Sequence, residues 1–510
     1  MQKYLLFACL LCAAASIEAQ KPLLDKVRAW REANEHRWMQ EYVEFLSIPN
    51  TGNDSAGLME NARFIVDMMQ RRGIAGRLLP GRSTRAVPAV YGEVNTPGAT
   101  TTLAFYAHYD GQPVSPEKWA PGVAPFQPVF ATTSLEKGGQ LLPFPVRSQP
   151  IAPDWRLYGR ASADDKAGVF AILCAYEALV KSKLMPGVNL KFFFEGEEER
   201  GSTHLDEIFE THKDLLSADA WIIADGPMHV SGRKQIVFGV RGDVNMDITV
   251  YGAKRPLHSG NYGNWAPNPA FKLVQLLAGM KDKDGRVLID GFYDDVLPLS
   301  PTEQKALERI PDPEVQLRRE LAVVKPDGGG QSFLALIMTQ PTLNINGIRS
   351  AEVGKLASNI IPTTATVTLD LRLVKGQDAE RQAQKVLNHL KKQGYYVIDR
   401  APTEEERLQY SDIATVTMGK GYNAQRTSMD WPLAARITAA VQTSTTLPLI
   451  LSPSAGGSLP LYLFEAVLGT PPLTVPIVNY DNNQHGENEN LRIGHLWDGI
   501  ETLATIMAMK

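Results

Sequence analysis

The chain has 510 residues, 44% of them hydrophobic and 21% charged, with 52 basic against 56 acidic side chains and a formal net charge of −4. That length exceeds one simple core and predicts two domains. The absence of a basic excess argues against a nucleic-acid partner. In chain order, residues 1–19 read as a secretory signal: Lys3 provides a positive start, an apolar run follows from Tyr4 to Ala15, and small residues end at Ala19 before Gln20. The run is too short to span a membrane. A buried first helix is the plainer alternative, and Leu6-Phe7-Ala8-Cys9 loosely resembles a lipoprotein signal. Export, to the periplasm or outside the cell, is the expectation. With Cys9 and Cys12 inside that segment, the mature chain keeps only Cys174, in an apolar helix, so no intrachain disulfide is expected.

An amphipathic helix is predicted over residues 24–46 and another over 57–73. Strands and helices then alternate to about Pro227, which implies an α/β domain with a mostly parallel sheet flanked by helices. Residues 113–153, rich in Pro and Gly, are expected to form a long ordered loop. The pattern changes near Val237. Strands at 235–240, 244–250, 342–345, 364–373 and 395–398, with helices at 269–280 and 378–393, predict an inserted α+β sandwich of one sheet and two helices. Gly328-Gly329-Gly330 lacks the strand and helix of a phosphate cradle. From about Ala401 the βα pattern returns. The domain reading is therefore 20–235 and 401–510 for one catalytic domain, interrupted by an insert at 236–400.

Four apolar runs in the α/β part end in metal-ligand residue types. Residues 103–107 lead into His108-Tyr109-Asp110, 190–194 into Glu195-Gly196-Glu197-Glu198-Glu199, 221–224 into Asp225, and 473–478 into a loop carrying His485. Asp164-Asp165 stands just before a strong helix. Ligands of open α/β sheets collect beyond the carboxyl ends of parallel strands. Two imidazoles and several carboxylates are a donor set for zinc or a related divalent metal. Each piece also has a plain reading. His108 and Asp110 are a His-x-Asp pair that surfaces often carry. Asp164 or Asp165 suits a helix N-cap, and the Glu197–Glu199 run suits a solvated loop. Asp110, two residues on, could orient His108 as carboxylates do for ligating histidines.

In order, His108/Asp110, Gly159 to Gly168, Glu198-Glu199-Arg200-Gly201-Ser202, Asp225, His258-Ser259-Gly260 and His485 resemble the motifs of the co-catalytic zinc exopeptidase family. That family includes carnosinase-type dipeptidases, aminoacylases, glutamate carboxypeptidase and succinyl-diaminopimelate desuccinylase. The wording around His108 to Pro113, Trp119, Pro125-Phe126 and Gly159-Arg160 is nearest the carnosinase-like dipeptidases. The resemblance implies two zinc ions, with manganese or cobalt as alternatives, bridged by Asp164. His108 and Asp225 would complete one site, and Glu199 and His485 the other. It implies Glu198 as general base, Asp110 as the residue orienting His108, and His258 as a donor to the oxyanion. Arg372, Gly457 and Ser458 would bind a substrate carboxylate, with Asn344 or Asn346 near them. It also implies a homodimer through the insert, which doubles as lid.

Two departures stand out: Ala161 and Ala167 replace family glycines. Alanine is small enough that the geometry, with a cis peptide at Asp164-Asp165, is expected to survive. His495 competes with His485 for the ligand role, and His485 is preferred because His485-Gly486-Glu487-Asn488-Glu489 matches the family string. The expected activity is hydrolysis of dipeptides or the C-terminal amide bond of short peptides. Deacylation of N-acyl or N-succinyl amino acids by the same chemistry is the alternative, and a non-catalytic binding protein on this scaffold is the third.

Overall fold

A computed structural model describes the chain from Gln2 to Lys510, with side chains from Pro22 onward. The signal segment read at residues 1–19, with Cys9 and Cys12, lies before the residues whose side chains are described. Two compact units are present. Unit 1 comprises Met1–Phe238, Thr427–Ser452 and Leu463–Lys510; unit 2 comprises Gly239–Arg426 and Pro453–Tyr462.

Unit 1 is built on an eight-stranded sheet in the order Arg77–Leu79, Ala89–Val94, Asn189–Glu195, Thr102–His108, Ala220–Ile223, Pro472–Thr474, Gln235–Val237, Ile450–Ser452. The central four strands run parallel. Their apolar runs are buried along nearly their whole length, as expected where helices cover both faces. Helices Lys166–Lys181 and Ile493–Met507 are buried almost throughout and pack against each other. His108 pairs in register with Glu195 and Tyr106 with Ile223, so the ends that carry His108, the acidic loop and Asp225 lie together at one edge of the sheet.

A second, four-stranded sheet joins Asn490–Arg492, Arg156–Tyr158, Val129–Ala131 and Leu141–Leu142. It occupies part of the segment expected to be loop, because strands of two or three residues between Pro and Gly leave no legible alternation. Asn490 pairs with Tyr158. The segment leading from Tyr158 to Asp164 and the one leading from His485 to Asn490 therefore meet at the same place. Lys166 fixes the first turn of its helix from the other side. Fully buried, its Nζ donates to the carbonyls of Phe45 and Ile48, at 2.8 and 2.9 Å. These lie at the end of the helix Gln2–Leu46, where carbonyls lack intrahelical partners and favour a cation.

Unit 2 has a five-stranded sheet in the order Thr342–Arg349, Thr364–Leu373, Gly242–Tyr251, Ile413–Met418, Tyr396–Ile398. Val244, Met246, Ile248 and Val250 alternate inward and are buried with residues of helices Pro269–Ala278 and Ala379–Lys392. The second helix is capped by Asp378, whose carboxylate accepts from the Arg381 amide. The expected insert boundary near residue 400 falls too early. Ile413–Met418 pairs antiparallel with Gly242–Tyr251, which keeps the chain in this sheet and its unit through Arg426. Residues 453–462 also belong to unit 2: the Ala455 amide donates to the Gly239 carbonyl and the Arg241 amide to that of Gly457. Among the described residues no helix is long and apolar enough to cross a membrane.

Candidate metal centre

At the strand ends of unit 1, two groups of donor atoms converge, and Asp164 belongs to both. One holds His108, Asp164 and Asp225; the other holds Asp164, Glu199 and His485; within each group the ligand atoms all lie within 4.8 Å of one another. His108 Nε2 is 3.1 Å from Asp164 Oδ1, and His485 Nε2 is 3.0 Å from Asp164 Oδ2 and 3.3 Å from Glu199 Oε2. Asp164 Oδ2 is buried, and the His485 imidazole faces it. The peptide bond between Asp164 and Asp165 is cis.

The acidic loop sorts itself by partner. Glu195 accepts from the Tyr106 hydroxyl at 2.6 Å, and Glu197 pairs with Arg200 and His204, both at 2.7 Å. Glu198 and Glu199 are left facing the donor groups. Glu198 Oε2 lies 3.7 Å from His108 Nε2 and is absent from both three-residue groups. His108 Nδ1 lies 3.3 Å from Asp110 Oδ1. The two oxygens of the same carboxylate accept the backbone amides of Glu198, at 3.1 Å, and Glu199, at 3.0 Å. It thus ties a histidine and both glutamates to one point. Gln112 Nε2 donates to Glu199 Oε2 at 2.7 Å. Asp165 is the N-cap of the helix, accepting from Gly168, and also accepts the His108 amide. The N-cap reading thus applies to Asp165, and Asp164 is free to face the donors.

Charge in this cluster is poorly balanced. Burial and the neighbouring Asp164 charge push Glu199 up to about 8, and burial with the same neighbour takes Asp225 to about 6. Burial also raises Glu198 far above the usual carboxylate range, with the charges of Asp225, Glu199 and Asp110 acting in the same direction. Burial acts likewise on Asp164, but its contacts with His108 and His485 outweigh it and hold this carboxyl well below its ordinary value. Crowded carboxylates with unmet demand for positive charge, beside two imidazoles, are the donor chemistry of a divalent-metal site. The residues present fit a pair of such ions.

Three residues in left-handed backbone surround the cluster: Ala161 with φ 61°, His485 with φ 63° and Asn488 with φ 59°. Non-glycine residues pay about 1–2 kcal/mol there, and such positions concentrate at functional sites. Ala161 stands where the family motif has glycine, so its conformation needs outside support. Glu489 supplies contacts to it, which sequence reasoning missed by using the His485–Glu489 string only to select the histidine. His495 lines a different cavity with Lys137, Arg156 and Asp481, and is not among the converging donors.

The remaining expected site residues belong to unit 2. His258 ends the short strand Leu257–His258, is exposed, and its Nδ1 accepts the Gly260 amide at 3.1 Å. Arg372 lies opposite Asp243 in the sheet, and its Nε donates to Asp370. Ser458 bridges to Arg241, and its hydroxyl lies 3.4 Å from the Gly242 carbonyl.

A sheet whose parallel strands deliver such a donor set, with an unligated carboxylate beside it, defines a metal-dependent hydrolase. The chain belongs to Peptidase family M20/M25/M40, whose sequence profile matches residues 104–509, and it is a metallopeptidase. It is 25% identical over 501 residues to the Cys-Gly metallodipeptidase of Schizosaccharomyces pombe, covering 95% of this chain and 98% of that protein. It is 25% identical over 498 residues to the human Beta-Ala-His dipeptidase, covering 94% and 90% respectively. Among solved structures, the M20 family metallo-carboxypeptidase of Sulfolobus solfataricus matches with a TM-score of 0.76 and 26% identity, over 92% of this chain and 98% of that one. Human carnosine dipeptidase 1 matches with a TM-score of 0.69 and 23% identity, over 95% and 99%.

Proposed function

We propose that this enzyme hydrolyses dipeptides, or the C-terminal amide bond of short peptides, using water. The observation that carries the reading is Glu198, a largely enclosed carboxylate poised beside two donor groups that share Asp164. The dipeptidase names of full-length relatives support the substrate class. His108, Asp164 and Asp225 would hold one divalent ion, and Asp164, Glu199 and His485 the other. Bound there, the two ions, zinc in this proposal, supply Lewis acidity toward the scissile carbonyl and the attacking water. Glu198 takes the proton from that water as its oxygen bonds to the carbonyl carbon. As the C–N bond breaks, Glu198 returns the proton to the leaving amine. Asp110 keeps both glutamates and His108 in register through these transfers. From the sequence resemblance, the proposal extends to His258 as a donor to the oxyanion and to Arg372, Gly457 and Ser458 as ligands of the substrate carboxylate.

Purified protein should cleave members of a dipeptide panel, lose that activity on dialysis against a chelator, and regain it with zinc or manganese. Cleavage of N-acyl amino acids alone would replace the peptidase reading with a deacylase one. No cleavage of either panel with metal restored would leave only a binding role. The proposal also includes export with loss of residues 1–19 and a homodimer formed through unit 2. Protein recovered from outside the cytoplasm should begin at Gln20 and sediment at twice the chain mass; an intact N-terminus or a monomer overturns the respective point.

A further inference from the structure

We infer that Glu489, paired with Arg160, is a positioning residue that sets the two ligand-bearing loops of the metal centre against each other; this rests on the metal-site reading above. The Glu489 side chain is fully buried, and each of its oxygens is used twice. Oε2 accepts from Arg160 Nη1 at 2.7 Å and from the Ala161 amide at 3.0 Å; Oε1 accepts from the Ala163 and Asp164 amides, both at 2.9 Å. Three amides of the segment that presents Asp164 thus end on one carboxylate. They include that of Ala161, the residue in left-handed backbone where glycine is expected. The Arg160 guanidinium completes the link: Nη2 donates to the Gly486 carbonyl at 3.1 Å, next to His485, and to that of Pro113 at 3.3 Å. Its charge lies over the Trp119 ring, 5.8 Å from the centroid.

Through this pair, Asp164 and His485, 321 positions apart in the chain (485 − 164), are fixed relative to one another by groups that are not themselves metal donors. Carboxylate partners of this kind hold ligand geometry, and changing them costs about 10–100-fold in metal affinity. The carboxylate is matched to its task in a way that glutamine is not. An amide in its place keeps one acceptor oxygen but turns an NH2 toward either two amide donors or the guanidinium and an amide. Both arrangements set donor against donor.

The test is calorimetric titration of metal-free protein with Zn2+, alongside Co2+ absorption and thermal unfolding. Glu489→Gln should fold but bind the ions about 10–100-fold more weakly, with an altered Co2+ spectrum. Arg160→Lys, which keeps the charge but cannot reach Glu489 and Gly486 together, should weaken them in the same direction and decides the matter if Glu489→Gln does not fold. In the metal-free wild type, the Ala163 and Asp164 amides should already be protected from hydrogen exchange. Wild-type Zn2+ affinity and Co2+ spectrum in a folded variant, or rapid exchange of those amides, overturns the inference. Failure of the wild type to take up metal at all would instead overturn the metal-site reading.

Discussion

Glu198→Gln should lower kcat by about 10²–10⁴-fold while leaving the metal content of the protein unchanged. The separation follows from geometry. Glu198 stands outside both donor groups, so its charge is not needed to hold an ion. Its backbone amide is fixed by Asp110, so glutamine should occupy the same place. What is lost is proton affinity. Burial, with the charges of Asp225, Glu199 and Asp110, holds the Glu198 carboxyl far above its ordinary range. An amide accepts no proton at working pH, and the water would have to give its proton to solvent. Steady-state kinetics on a cleaved dipeptide, with metal analysis of the same samples, checks this. A variant with near-wild-type kcat removes Glu198 from the proton-transfer role; one that loses metal makes it a ligand.

The second large effect concerns Asp164. Because it belongs to both donor groups, Asp164→Asn should weaken both ions, each by more than the roughly 10–100-fold that outer partners of metal ligands cost. Asp225→Asn and Glu199→Gln should each weaken chiefly one. Asp164 is also held well below its ordinary value, through contacts with His108 and His485 that outweigh burial. Its replacement thus removes the negative charge that both imidazoles face. Zinc titration of the three variants gives the answer. If Asp164→Asn retains one ion at wild-type affinity, the two groups do not share this residue as a bridge.

The candidate donors were legible because parallel strands covered on both faces read as unbroken apolar runs, and each run led to a residue of metal-ligand type. Choosing Asp164 over Asp165 and His485 over His495 needed the family string, since Asp164 follows no long strand and His485 sits well into a loop. Their meeting depends on the short sheet pairing Tyr158 with Asn490, which is hidden in a Pro- and Gly-rich stretch. The contacts of Asp110 with the Glu198 and Glu199 amides were not legible for another reason. Side chains that bind backbone far away in the chain leave no periodicity, and only the coordinates reveal them. The insert boundary failed at residue 400 because the helix Glu404–Gln409 followed by the strand Ile413–Met418 looks like a returning βα unit. The strand's partner, Gly242–Tyr251, is more than 160 residues earlier.

The strand Pro472–Thr474 lies between Ala220–Ile223 and Gln235–Val237, inside the large sheet. A nascent chain leaving the ribosome has made seven strands of this sheet before that one emerges. Until then Ala220–Ile223 presents an unpaired apolar edge, and His485 has yet to be synthesised. Pairings of such long sequence separation form late and slowly. The donor group that includes His485 is therefore complete only once nearly the whole chain has been made, so metal capture there would follow synthesis. Partly made chains have an open sheet edge that invites association, for which a chaperone is the natural cover.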